Sequence, residues 1–184
     1  MMHAEMKDGS SKPLALLCAI EGSLRSLGHT LAPPVLRVAL ALPFFRSGKT
    51  RWDGFPHLAF ATPFLFEDVF KLHLLGHAFS LPSPVVTAYV VAVAEIVLPT
   101  LLVLGLATRQ AALGLLIMTG VIQLVAPDGW ANFHLYWAAI ALAILALGPG
   151  KLSLDFAMQV AARNRRQLSI TEKDQPVVSW KQQQ

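Results

Sequence analysis

Four apolar stretches, at about 31–47, 85–106, 111–126 and 133–147, restrict this chain more than any other feature, because each is long enough, or nearly so, to cross the hydrocarbon core of a bilayer. A backbone at that depth must satisfy its own N–H and C=O groups, so such segments are helices. The local signals agree: Pro33 and Pro34 suit a first helical turn, Pro127-Asp128-Gly129 is a turn, and Gly148-Pro149-Gly150 ends the last stretch. With 54% hydrophobic and only 14% charged residues, the chain departs from a soluble domain, in which about 25% are charged. The expected fold is all-α: one integral membrane domain at 31–150, a bundle of four spans with its lipid bilayer as solvent.

The flanks read differently. Before the first span, Leu17, Ile20, Leu24 and Leu27 recur at helical spacing while Glu21 and Arg25 pair four apart, which predicts an amphipathic helix on the membrane surface within 1–30. The apolar run at Leu14–Ile20 ends at Glu21 without a small-x-small site, unlike a secretory leader. After the last span, 151–184 is a basic tail, with Phe156 to Arg166 as an amphipathic basic helix and a polar end. Between Arg51 and Pro84 the chain is too charged for a fifth span, yet Phe66, Val69, Phe70 and Leu74 fit a helical face. A re-entrant or interfacial helix capping the bundle is expected there.

With four spans, Lys7, Lys12, Arg25, Arg109, Lys151, Arg163, Arg165, Arg166, Lys173 and Lys181 share one side, against Arg46, Lys49, Arg51 and Lys71 on the other. The positive-inside rule then places both termini in the cytoplasm, for a multi-pass protein of a bacterial-type inner membrane. The cations beyond the first span are either interfacial anchors or the mouth of a polar entrance, to which Lys49 would contribute.

Two ionisable residues fall near the middle of predicted spans, Arg37 in the first and Glu95 in the second. Each would cost about 2.5–3.5 kcal/mol at the bilayer centre, so both should face inward, and their matching depths predict that they pair. Such a pair either fixes helix register or handles protons or a ligand. Pro99, four residues beyond Glu95, removes the helical partner of the Glu95 carbonyl; with Gln123 and His134 it points to a polar pocket opening outward, although packing also accounts for proline in membrane helices. His73 and His77 are four apart, a spacing that on a helix could offer two imidazoles to a metal, against a simpler role as interfacial residues. Cys18 is the only cysteine, which rules out an internal disulfide and gives no basis for iron–sulfur ligation; haem-attachment, phosphate-loop and catalytic-triad motifs are also missing. Nothing points to nucleic acid, and the oligomeric state is left open.

The stretch LRVALALPFFRSGKTRWDGF, with Arg37, Ser47, Gly48 and Lys49, resembles the first-helix signature of the DoxX family. AEIVLPTLLVLGLATRQAALGLLIMT is similar to the family's glutamate-bearing helix and following turn, here Glu95, Gly105, Thr108 and Arg109, and GPGKLSLD looks like its closing motif. The resemblance covers about Leu36 to Asp155. It implies a four-helix membrane protein accessory to quinone-linked redox systems, with quinone as the ligand and a membrane or peripheral oxidoreductase as the partner. PFFRSGKTRWDGF and PDGWANFHLYW look closest to a branch encoded beside copper-induced peptide systems, which adds metal stress as a context. The alternative is a component of metal or small-ligand export and resistance, in which His57, His73 and His77 would matter more.

Overall fold

A computed structural model describes residues 11–173. Lys7 and Lys181, used above to orient the chain, lie outside them. The order of elements is α1 (Ser11–Thr50), α2 (Ala61–Phe64), β1 (Lys71–Leu74), β2 (His77–Ser80), α3 (Pro84–Leu104), α4 (Thr108–Val125), α5 (Leu135–Leu147) and α6 (Leu154–Lys173). Among the described residues four helical stretches are long and apolar enough to cross a membrane: Ile20–Thr50, Pro84–Leu104, Thr108–Val125 and Pro127–Leu147. The molecule is thus a multi-pass, four-helix membrane bundle, as expected.

The helices form a ring in which α1 packs on α3 and α5, and α4 packs on the same two. Leu40, Ala41 and Phe44 from α1, Leu102 from α3, Ala111, Ala112 and Leu115 from α4, and Ala141 and Ile144 from α5 make one buried core. Small residues at this seam let the backbones approach, the main means of packing helices where lipid is as apolar as leucine. Conversely Val35, Val86, Val90 and Ile117 point outward and are more than half exposed, as lipid-facing side chains are.

The N-terminal segment is helical, but it is not a separate element: α1 runs unbroken for 40 residues, about 60 Å, through Pro33, Pro34 and Pro43. The region after α1 also differs from expectation. A short helix, α2, continues into a π-helical turn at Leu65–Val69, and the chain then forms a β-hairpin rather than more helix. Leu74 pairs with His77, which leaves Leu75 and Gly76 as a two-residue turn, both at positive φ (51° and 82°). This is the primed-turn geometry that matches strand twist. The segment fills space: α3 begins well beyond the end of α1, and Phe66, Leu81 and Ala88 form a second buried cluster that covers this upper part of α3, with Leu58, Phe70 and Leu72 against it. The two ends of the bundle are called below the hairpin end and the tail end.

Candidate functional site

Arg37 and Glu95 are both buried, with 2% of each residue exposed, yet they do not meet. Because α1 and α3 run antiparallel, Gly48 of α1 packs on Glu95, while Arg37 packs on Gly105 at the far end of α3. Glu95 to Gly105 is about 15 Å of helix. The equal-depth argument failed because α1 extends past the apolar stretch at both ends, so its hydropathic midpoint is not its level in the bundle.

The partner of Glu95 is Arg51. Its Nε lies 3.2 Å from Glu95 Oε2, and Ser47 donates its hydroxyl to Glu95 Oε1 at 3.0 Å. Arg51 follows the last turn of α1, where its N–H donates to the Gly48 carbonyl and its own carbonyl accepts from Ala59 N–H and the Thr62 hydroxyl. The turn therefore aims the guanidinium back into the bundle. There it also lies over two aromatic rings, 5.2 Å from the centroid of Phe66 and 5.6 Å from that of Phe70, a cation–π arrangement that gains strength with desolvation. At Gly48 any Cβ would lie 2.9 Å from the Glu95 backbone, so glycine is what allows the helices to close at this level.

The Arg51–Glu95 pair forms one wall of a cavity of about 250 Å³. The remaining walls are apolar: Phe44 and Trp137, whose rings are 5.2 Å apart, with Phe66 and Phe70 opposite and valines of α3 and α4 between them. Val121 of α4 and Ala126 just after it both line the cavity and are exposed, so it is not sealed from the outside of the bundle.

The other residues singled out from the sequence are dispersed. Lys49 is exposed and does not line the cavity; the cation of that cluster that lines it is Arg51. Pro99 is buried, but it lines a separate apolar groove with Val38, Phe45 and Val103. Gln123 and His134 do come together, with His134 Nδ1 2.6 Å from Gln123 Oε1. The imidazole stacks behind Trp137 at 5.4 Å and so backs the cavity without lining it. His73 and His77 stand on opposite strands of the hairpin, His73 with its Nδ1 3.3 Å from the Leu124 carbonyl. The helical spacing behind a metal pair does not exist here, and among the described residues no cluster of three His, Cys, Asp or Glu could hold a metal.

At the tail end Arg37 makes a second polar cluster that sequence reasoning missed. Its Nε donates to the Pro33 carbonyl at 3.3 Å and its Nη2 to the Leu152 carbonyl. Three residues on, Asp155 caps the start of α4: Oδ1 accepts from Ala107 N–H, and Oδ2 from the N–H and hydroxyl of Thr108, at 2.7–2.8 Å. An N-cap normally comes from the residue before the helix. Here the closing motif supplies it from 47 positions away. Burial raises the Asp155 carboxyl, but the bonds from Thr108 and Ala107, with the charge of Arg37, outweigh it and hold the group below its ordinary value. A depressed folded pKa stabilises above the unfolded value and is lost as pH falls through the folded one. Melting temperature should therefore fall as pH drops below the ordinary carboxylate range, about 4. Asp155→Ala should lower stability at neutral pH by about 0.5–2 kcal/mol and flatten that acid limb; an unchanged limb would show that another carboxyl is responsible.

The two clusters take in most of the motif residues noted in the sequence, Ser47, Gly48 and Glu95 at one end and Arg37, Gly105, Thr108 and Asp155 at the other, while Lys49 and Arg109 are exposed. Comparison with known proteins agrees. The DoxX family model matches residues 32–128. An uncharacterized protein of Haemophilus influenzae is 28% identical over 150 residues, covering 72% of this chain and 86% of its own. No solved structure matches. With a family match over more than half of its length, this chain belongs to the DoxX family.

Proposed function

We propose that this protein is an accessory membrane subunit that binds a quinone in the cavity beside Arg51 and Glu95 and presents it to a partner oxidoreductase. The observation that supports this reading is the buried ion pair on the wall of an otherwise largely apolar cavity that includes four aromatic rings. A ligand that reaches the site from the bilayer must be apolar, and one that suits these walls is flat and carries a few polar atoms. A quinone head group has that chemistry, and when bound it supplies a carrier of two electrons and two protons. Phe44, Trp137, Phe66 and Phe70 would hold the ring; Arg51, already oriented by Glu95, and the Ser47 hydroxyl would face its oxygens. Glu95 is also positioned to take or give a proton at the cavity wall, a role for which a buried carboxylate is suited. With Cys18 the only cysteine and no haem-attachment motif, the electrons would come from the partner. In this reading the basic tail end faces the cytoplasm and the hairpin end faces out from a bacterial-type inner membrane.

The test is direct. Purified protein in mild detergent should bind short-chain quinones saturably, with quenching of Trp137 fluorescence that disappears in Trp137→Phe. Val91→Phe, which fills the cavity, should weaken binding at least tenfold while leaving the melting temperature close to wild type. Equal signals from a quinone and from an alkyl chain of the same length without the head group would reject the proposal.

A further inference from the structure

The last helix, α6, has an uncovered amphipathic surface that the cavity does not use. Leu154, Ala157, Met158 and Ala161 follow i, i+3, i+4, i+7 along one face, in line with Arg165, while Asp155, Gln159 and Arg163 follow i, i+4, i+8 along another and Phe156 and Val160 lie on the side between Arg163 and Ala157. Leu154, Met158 and Val160 are 40–52% exposed, and among the described residues no helix of the bundle packs along α6. An apolar stripe of this length on a membrane protein needs a cover.

Its place and its charge say which. Asp155 bonds through its own N–H to the Gly105 carbonyl, at 2.9 Å, as well as capping α4, so the first turn of α6 is fastened to the α3–α4 turn. That turn is where the bundle leaves the bilayer. Around it Lys151, Arg109, Arg163 and Arg165 are exposed. Among the side chains described at this end, Asp155 is taken up by the N–H groups it caps and Glu21 lies 4.0 Å from Arg25. Between the α3–α4 turn and α6 a cleft of about 530 Å³ is lined by Arg109, Gln110 and Gln159, by Leu106 and Met158, and by Asp155, whose carboxylate oxygens are taken up by the N–H groups it caps.

We propose that α6 lies on the leaflet at the tail end with its apolar stripe in the acyl boundary, and that the cleft and the α6 arginines seat the phosphate head groups of anionic phospholipids. Arg165 falls near the apolar stripe, where its long stem can cover apolar surface while the guanidinium reaches the head groups. Attraction to anionic lipid adds to burial of the stripe and weakens with salt.

The experiment uses full-length protein with Cys18→Ser, labelled with an environment-sensitive fluorophore at Ala161→Cys or Gln159→Cys. It is reconstituted into vesicles of phosphatidylcholine alone or mixed with phosphatidylglycerol. The label at 161 should shift to the blue and resist an aqueous quencher, more so with phosphatidylglycerol, and the label at 159, in the cleft at head-group level, should be protected less than that at 161. Arg163→Gln with Arg165→Gln, or high salt, should erase the difference between the two vesicles. Equal quenching at both positions in both vesicles would overturn the proposal, as would protection at 161 that ignores lipid charge. Inorganic phosphate reproducing the effect in neutral vesicles would mean that the site takes the free anion, and would also overturn it.

Discussion

Arg51→Ala is expected to destabilise the protein by about 3–5 kcal/mol, because it leaves a buried carboxylate without its cation. Glu95 has 3% of its side chain exposed and Arg51 14%, so water can restore little of what is lost. Ser47 remains as a single donor, which is weak compensation for a full charge. The replacement of both partners by apolar residues of similar size should behave differently. Arg51→Met with Glu95→Leu removes the desolvation cost along with the attraction, and it should recover most of the loss. Thermal melting followed by size exclusion in detergent reads all three proteins. If Arg51→Ala alone melts within about 0.5 kcal/mol of wild type, the ion pair has no structural weight. Quinone binding separates the two uses of the pair: the stable double variant should still fail to bind.

The second large effect is expected at Gly105→Ala, about 2–5 kcal/mol from two sources that add. The residue sits at φ +68°, where it ends α3 by a Schellman arrangement, with Leu106 N–H on the Leu101 carbonyl and Gly105 N–H on that of Leu102. A Cβ there would also overlap the Arg37 guanidinium and lie 2.6 Å from Ser153 Cβ. Gly54→Ala serves as the control, since Gly54 has φ +78° and open space around it. It should show the backbone contribution alone. Melting of the two variants in parallel then isolates the collision, and equal losses would mean that Arg37 simply moves aside.

Much of the architecture was legible because bilayer thickness leaves few choices. An apolar stretch such as Pro84 to Leu104 cannot be anything but a span, and Gly148-Pro149-Gly150 cannot continue one. Glu95 was legible as an inward-facing group for the same reason. Its partner was not, since pairing depends on helix register, and register depends on where α1 stops. Arg51 stands in the sequence as one of several cations beyond the first span, and only the fold singles it out as the partner of Glu95. The hairpin was misread because Phe66 and Phe70 do make a helical i, i+4 contact, 5.1 Å between ring centroids, and the pattern was carried on to Leu74. Gly76, midway between two short alternating runs, was the available turn signal. Asp155 was quoted only as part of a motif. No local pattern announces that a residue caps a helix nearly fifty positions earlier in the chain.

The positions of the two polar clusters along the chain set an order of assembly. Arg51 and Glu95 can meet as soon as the second span has been made. Arg37, in the first, bonds to a carbonyl 115 residues later, and the residue that caps α4 comes three further on. During synthesis the first span must therefore enter the membrane with a guanidinium whose partner has not yet left the ribosome. The hairpin end can close while the chain is still growing, whereas the tail end closes last and only on a complete bundle.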